Sequence, residues 1–188
     1  MPEKPAGIVF LDRDGVVNED KGYVSSPQEV VILDGAAEGI RLLNQNGLKV
    51  VVVTNQSGVA RGYFSESIVQ NINEYIRRTL AQNKAIIDAF YYCPHHPEIG
   101  PSNYKKNCDC RKPNPGMLLE AMEDFGIRTP CFLVGDSPRD VEAGIRAGCK
   151  TYLISNDIEN RDFSSEVDIV PNLIEAANRI VNNLKEES

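Results

Sequence analysis

No apolar run in these 188 residues approaches the roughly 20 needed to cross a bilayer as a helix, so a membrane-spanning helix is excluded. The segment Met1 to Ala6 carries Glu3 and Lys4 and has no apolar stretch before Ile8, so no secretory leader is expected there. Basic residues are also in short supply. Twenty Lys and Arg against 27 Asp and Glu leave a formal charge of −7 and a pI near 4.9. Affinity for a phosphate backbone rests on a basic surface that releases counterions, so a general nucleic-acid binder is excluded, whereas a local basic pocket for a small phosphate is not. Cysteine is sparse, at five residues. In a cytoplasmic chain such thiols read as metal ligands or buried core groups before disulfides. Cys131 and Cys149, in apolar or tight segments, read as core. The expectation is a cytoplasmic, monomeric protein with neither nucleic acid nor membrane as partner.

What is present is ordinary for a soluble globular protein, with 41% hydrophobic and 25% charged residues, and the length suits one domain over residues 1–188. Short apolar runs at Ile8–Leu11, Val50–Val53, Ala89–Tyr92, Phe132–Val134 and Thr151–Ile154 are bounded by turn-forming or polar residues and read as buried parallel strands. Helical patterns separate them. Asp34 is expected to cap a helix whose Ala36, Ile40 and Leu43 share a face, and Ile68, Ile72, Ile76 and Leu80 recur at four-residue spacing. Asn114-Pro115 is expected to open a helix as cap and first residue, burying Leu118, Met122 and Phe125. Ser137-Pro138-Arg139-Asp140 opens another with a capping box, and a last amphipathic helix carries Leu173, Ile174, Ala177, Ile180, Val181 and Leu184. The alternation implies an α/β, doubly wound, mainly parallel sheet whose ligands bind beyond the carboxyl ends of its strands.

The first strand ends in Asp12-Arg13-Asp14-Gly15, with two carboxylates two residues apart. Like charges so close need a cation, and oxygen ligands suit Mg²⁺; one carboxylate can then attack phosphorus while the other moves a proton. Alone, such a turn is also an ordinary turn or a generic cation site. The second strand ends in Thr54-Asn55-Gln56-Ser57-Gly58, a phosphate cradle or simply a strand exit. Lys112 then precedes a helix, and Asp136 follows the fourth strand. A long interruption without periodicity holds Cys93-Pro94-His95-His96-Pro97 and Cys108-Asp109-Cys110. Three thiols and an imidazole fill four positions and leave none for water, as in structural zinc sites. The expected ligands are Cys93, His95, Cys108 and Cys110 in a zinc loop at 93–110, with His96 as a neighbour.

The ordered set Asp12, Asp14, Thr54, Lys112 and Asp136 resembles the haloacid dehalogenase superfamily over nearly the whole chain. That resemblance implies a phosphatase in which Asp12 is the nucleophile, Asp14 the acid/base, Thr54 the phosphoryl-binding hydroxyl and Lys112 the neutralising cation. It also implies Mg²⁺ on the Asp12 side chain, the Asp14 backbone carbonyl and Asp136. The Cys-Pro-His-His-Pro and Cys-Asp-Cys-Arg-Lys-Pro segments, with Asp-Arg-Asp-Gly-Val-Val-Asn and Thr-Asn-Gln-Ser-Gly-Val-Ala-Arg-Gly, are similar to the heptose 1,7-bisphosphate 7-phosphatases of that superfamily. The narrower resemblance implies a capless fold, a sugar bisphosphate as small-molecule partner and a place in lipopolysaccharide-precursor synthesis. Substrate contacts carried over by position fall on Asp20, Lys21, Gly22, Tyr23, Asn55, Gln56, Ser57 and Arg111. Ser137 stands where the family often has a basic residue, which turns attention to Arg61 and Arg139; Asp140 reads as a helix cap before a metal support. Histidinol phosphate is the alternative substrate. A phosphorelay receiver is rejected because Cys93 stands where its phosphoacceptor aspartate belongs.

Overall fold

All five segments expected as strands are strands in the computed structural model, which describes residues 5–155 and 167–186; residues 1–4, part of the segment read for a leader, lie outside them. The strands are β1 (Gly7–Leu11), β2 (Leu48–Asn55), β3 (Ala89–Cys93), β4 (Cys131–Gly135) and β5 (Lys150–Ile154). A sixth, β6 (Val167–Val170), was not anticipated, because a four-residue half-buried edge strand with an Asp inside it lacks the apolar run that marks its neighbours. All pairings are parallel, in the order β3-β2-β1-β4-β5-β6.

Side chains alternate across a strand, and β1 shows the consequence. Val9 and Leu11 join the core under α1 (Ala36–Gln45), α2 (Glu66–Ala81) and α5 (Leu173–Glu186). Ile8 and Phe10 join the opposite core under α3 (Gly116–Phe125) and α4 (Pro138–Arg146). The faces read from periodicity are buried at their centres, at Ala36, Ile40 and Leu43; Ile72, Ile76 and Leu80; Leu118 and Met122; Ala177, Ile180 and Val181, whereas Ile68, Phe125, Ile174 and Leu184 at helix ends or face edges are only half-buried. Cys131 and Cys149 are buried in the second core. Among the described residues no helix is long and apolar enough to cross a membrane.

Two helix starts differ from expectation. Gly35, not Asp34, precedes α1, at φ 78°. The turn passes through the left-handed region that glycine enters freely, and no side chain caps the helix. Pro115 rather than Asn114 precedes α3. Asn114 instead donates to the Cys108 carbonyl at 2.9 Å and accepts from Arg146 at 3.1 Å, tying the cysteine loop to the helix layer.

From β1 the chain steps outward to β2 and β3, then crosses to β4 on the other side of β1. The carboxyl ends of β1 and β4 therefore flank the topological switch point, where open α/β sheets bind their ligands. Asp12 follows one and Asp136 the other, and the Asp12 N–H donates to the Val134 carbonyl at 3.0 Å, locking the two ends together.

Candidate active site

Asp12, Asp136 and Asp140 bring carboxylate oxygens within 4.8 Å of one another. Lys112, only 2% exposed, lies among them, with Nζ 2.9 Å from Asp12 Oδ1 and 2.6 Å from Asp140 Oδ1. Nζ also donates a hydrogen bond to the Val53 carbonyl at 2.8 Å. Burial works against the charged lysine, but Asp12 and Asp140 outweigh it and hold its pKa above the usual value. Burial raises Asp12 to about 7, opposed by Lys112 and aided by Asp140 and Asp136. Burial, then Asp140, raises Asp136 to about 6. Asp140 stays below the usual carboxylate range: burial opposes ionisation there, but Lys112 and Ser137 overcome it.

Three carboxylates against one ammonium leave a local excess of negative charge, and the donors are all oxygen, which fits a divalent hard cation. Asp140 Oδ2 accepts from the Ser137 hydroxyl and N–H at 2.6 and 3.1 Å, and Oδ1 is ion-paired with Lys112 but accepts no hydrogen bond among the described residues. Asp12 and Asp136 remain the better metal donors. Gly15 makes room for the second of them: its φ is 85°, and a Cβ there would sit 1.9 Å from Asp136 Oδ2.

Asp14 is held from three sides. Arg13, 1% exposed, contacts both its oxygens, the shortest at 3.0 Å, while Asn18 Nδ2 donates at 2.9 Å and Gln56 Nε2 at 3.0 Å. Asn73 accepts from the far side of the Arg13 guanidinium at 3.2 Å. Sequence reasoning missed Arg13, Asn18 and Asn73 as builders of the site; the sole signal was an arginine lodged between two aspartates. Gln56 also donates to Thr54 Oγ1 at 2.9 Å, so the buried Thr54 hydroxyl keeps its own proton for another acceptor.

These groups open into a cavity of about 340 Å³. Asp12, Asp14, Thr54, Lys112 and Asp136 line it, joined by Asp20, Gly22, Tyr23, Asn55, Ser57, Arg111, Ser137, Arg139 and Asp140. Two residues expected to touch substrate do not line it. Lys21 turns away to the Glu29 carbonyl (3.0 Å) and Glu19 (3.5 Å), because its neighbours offer acceptors outside the cavity. Gln56 is buried beneath, spent on Asp14 and Thr54. Arg61 is also set back: its Nη2 lies 3.2 Å from His96 Nε2, and its guanidinium lies 5.9 Å from the Tyr23 ring. Arg139 makes no hydrogen bond or ion pair among the described residues, so its cation is free at the cavity wall.

Cys93, at the end of β3, meets His95, Cys108 and Cys110 in one cluster. The S···S separations are 3.6 Å (Cys93–Cys108), 3.2 Å (Cys93–Cys110) and 3.3 Å (Cys108–Cys110). His95 Nδ1 lies 3.6 Å from Cys93 and 3.3 Å from Cys110. A tetrahedron with Zn–S bonds of about 2.3 Å has edges of about 3.8 Å, so these separations fit a zinc ion with little adjustment. Burial raises the Cys108 thiol, while Cys110 is raised first by its hydrogen bond to Cys93 and then by burial; a cation reverses that preference by binding thiolates. His96 accepts from the Glu98 and Ile99 N–H groups through Nδ1 at 3.1 Å each and stands outside the cluster. The residues after Cys110 are Arg111, which donates to the His95 carbonyl at 3.2 Å, and Lys112, so the cluster and the cavity share one short segment.

Residues 109–186 match the family described as HAD-hydrolase-like. The D-glycero-beta-D-manno-heptose-1,7-bisphosphate 7-phosphatase of Photorhabdus laumondii is 40% identical over 177 residues, covering 94% of this chain and 90% of that protein. The enzyme of that name from Haemophilus influenzae is 46% identical over 147 residues, covering 78% and 79%. Among solved structures, the D,D-heptose 1,7-bisphosphate phosphatase of B. bronchiseptica, complexed with magnesium and phosphate, superposes with a TM-score of 0.84 at 33% identity, over 94% of this chain and 99% of its own.

Proposed function

The chain belongs to the D-glycero-D-manno-heptose-1,7-bisphosphate 7-phosphatase family of haloacid-dehalogenase-like hydrolases, and from that premise we propose that it removes the 7-phosphate of D-glycero-D-manno-heptose 1,7-bisphosphate. The reaction leaves heptose 1-phosphate and inorganic phosphate. It runs in the cytoplasm and serves lipopolysaccharide-precursor synthesis.

One observation carries the mechanism. Asp12 Oδ1 is fixed by the Arg13 N–H at 2.7 Å and by Lys112, whereas Oδ2 takes no hydrogen bond among the described residues. Asp12 is thus oriented as a nucleophile with one oxygen free. It attacks the 7-phosphorus in line, the bond to the sugar oxygen breaks, and Asp14 gives that oxygen a proton. Asp14 then takes a proton from the water that attacks the aspartyl-phosphate, releasing inorganic phosphate and restoring Asp12. Thr54, accepting from Gln56, directs its O–H at a phosphoryl oxygen, and Lys112 offsets charge on the nucleophile and the transferred group. Asp12, Asp136 and the Asp14 carbonyl would hold Mg²⁺, which supplies further positive charge against the phosphoryl oxygens when bound. Zinc on Cys93, His95, Cys108 and Cys110 would fold the loop that carries Arg111 and Lys112.

Arg111 and Arg139, lining the cavity beyond Lys112, favour a substrate with a second phosphate over histidinol phosphate, which has only one. The test compares kcat/KM for the α and β anomers of the heptose bisphosphate with histidinol phosphate and sugar monophosphates. At least one anomer is expected to exceed every monophosphate by about a hundredfold or more, as for a lost charged contact of a few kcal/mol. A histidinol phosphate value equal to or above both anomers overturns the assignment.

A further inference from the structure

Asn55 lines the catalytic cavity and, by position, was expected to touch substrate. Its amide is also engaged on both sides by one other residue. The Lys112 N–H donates to Asn55 Oδ1 at 3.0 Å, and Asn55 Nδ2 donates to the Lys112 carbonyl at 3.0 Å. One amide therefore grips both main-chain groups of a single residue 57 positions away, the pattern of a rung between adjacent strands.

Lys112 needs such a grip. It lies on neither a helix nor a strand, between the cysteine cluster and α3, and its long side chain must deliver an ammonium to Asp12 at 2.9 Å. Left to the loop, both the backbone and four side-chain torsions would be free to wander. The chain instead fastens Lys112 to β2 twice, through Asn55 at the backbone and the Val53 carbonyl at Nζ. β2 lies beside β1 in parallel register, Leu11 opposite Val52, so the same strand that anchors Lys112 also sets its distance from Asp12.

We propose that Asn55 is a positioning residue for Lys112: its amide fixes the lysine backbone so that the ammonium meets the nucleophile. The proposal rests on the role given above to Lys112, and its effect lies in the chemical step. Asn55→Ala should lower kcat by about 30- to 100-fold while leaving KM within about twofold, the size expected when a reacting group shifts by an ångström. The sharper test is a double-mutant cycle. If Asn55 acts through Lys112, nothing is left for it to position once the ammonium is gone, so single-turnover rates of Lys112→Ala and of Asn55→Ala/Lys112→Ala should agree within about threefold.

Zinc content and melting midpoint are measured on every variant. Should Asn55→Ala fail to fold, the neutral Asn55→Ser, whose short hydroxyl cannot span both main-chain groups of Lys112, should also lose kcat with KM retained. A raised KM with kcat retained in the folded variant overturns the proposal, as do losses that multiply in the double variant. Each rate is measured on p-nitrophenyl phosphate as well as the heptose bisphosphate. A wild-type enzyme that cleaves only the former overturns the substrate assignment and still leaves the cycle readable.

Discussion

Asp140 serves two masters: one carboxylate oxygen lies 2.6 Å from Lys112 Nζ, and the other accepts from the Ser137 hydroxyl and N–H at the start of α4. The capping box expected from Ser137-Pro138-Arg139-Asp140 is there, and the same aspartate also pairs with the buried cation. The helix start and the charge balance of the site are thereby one structure, since rotating Asp140 to suit either partner disturbs the other.

We predict that Asp12→Asn abolishes turnover without unfolding the chain. The amide keeps the shape but cannot form the phosphoenzyme, so kcat should fall by about a thousandfold or more. Rapid quench with substrate labelled in the 7-phosphate should trap a base-labile phosphoprotein in wild type and none in the variant. Activity within tenfold of wild type would rule out the covalent route.

Magnesium binding should strengthen with pH. In the metal-free protein burial raises Asp12 to about 7 and Asp136 to about 6, both above the roughly 3.9 of an unfolded aspartate. Protons held by these groups stabilise the fold at low pH, and that contribution is lost as pH rises through the two folded values. A divalent cation needs the ionised forms, so its binding releases protons and the rise in melting midpoint on adding Mg²⁺ should be larger at pH 7.5 than at pH 5. Calorimetric titration at pH 6 in buffers of different ionisation enthalpy measures the released protons; equal midpoint gains at both pH values would count against the two carboxylates as metal donors.

One zinc ion per chain should be recovered from protein purified without added metal. Cys108→Ser should reduce zinc content and lower the melting midpoint, because binding free energy at such a site is folding free energy. Protein without zinc by elemental analysis, or a variant as stable as wild type, would defeat the assignment.

Arg111→Ala should separate two roles. Its guanidinium lines the cavity and also donates to the His95 carbonyl. Loss of a charged hydrogen bond to the second phosphate should cost the bisphosphate about 1.5–3 kcal/mol in kcat/KM, and a monophosphate much less. Loss of the His95 contact should show as a small drop in melting midpoint, about that of one neutral-acceptor hydrogen bond. Equal proportional losses on both substrates would leave Arg111 as a brace of the cysteine loop alone.

Whatever is local or periodic can be read along the chain. Buried parallel strands announce themselves as short apolar runs, helix faces as spacings of three and four, and the Cys93, His95, Cys108 and Cys110 cluster as closely paired metal-type ligands. The order of Asp12, Asp14, Thr54, Lys112 and Asp136 was legible for the same reason, since each follows or precedes an element that the pattern marks. How those groups are held emerges from packing. Arg13 buries itself against Asp14 and Asn73, Asn55 closes on the backbone of Lys112, Gln56 withdraws beneath Thr54, and Lys21 leaves the cavity for Glu29. Each is a choice among competing hydrogen-bond partners distant in the chain or across a turn. A polar side chain's preference is set by which donors and acceptors the packed sheet brings within about 3 Å, and no periodicity along the chain encodes that.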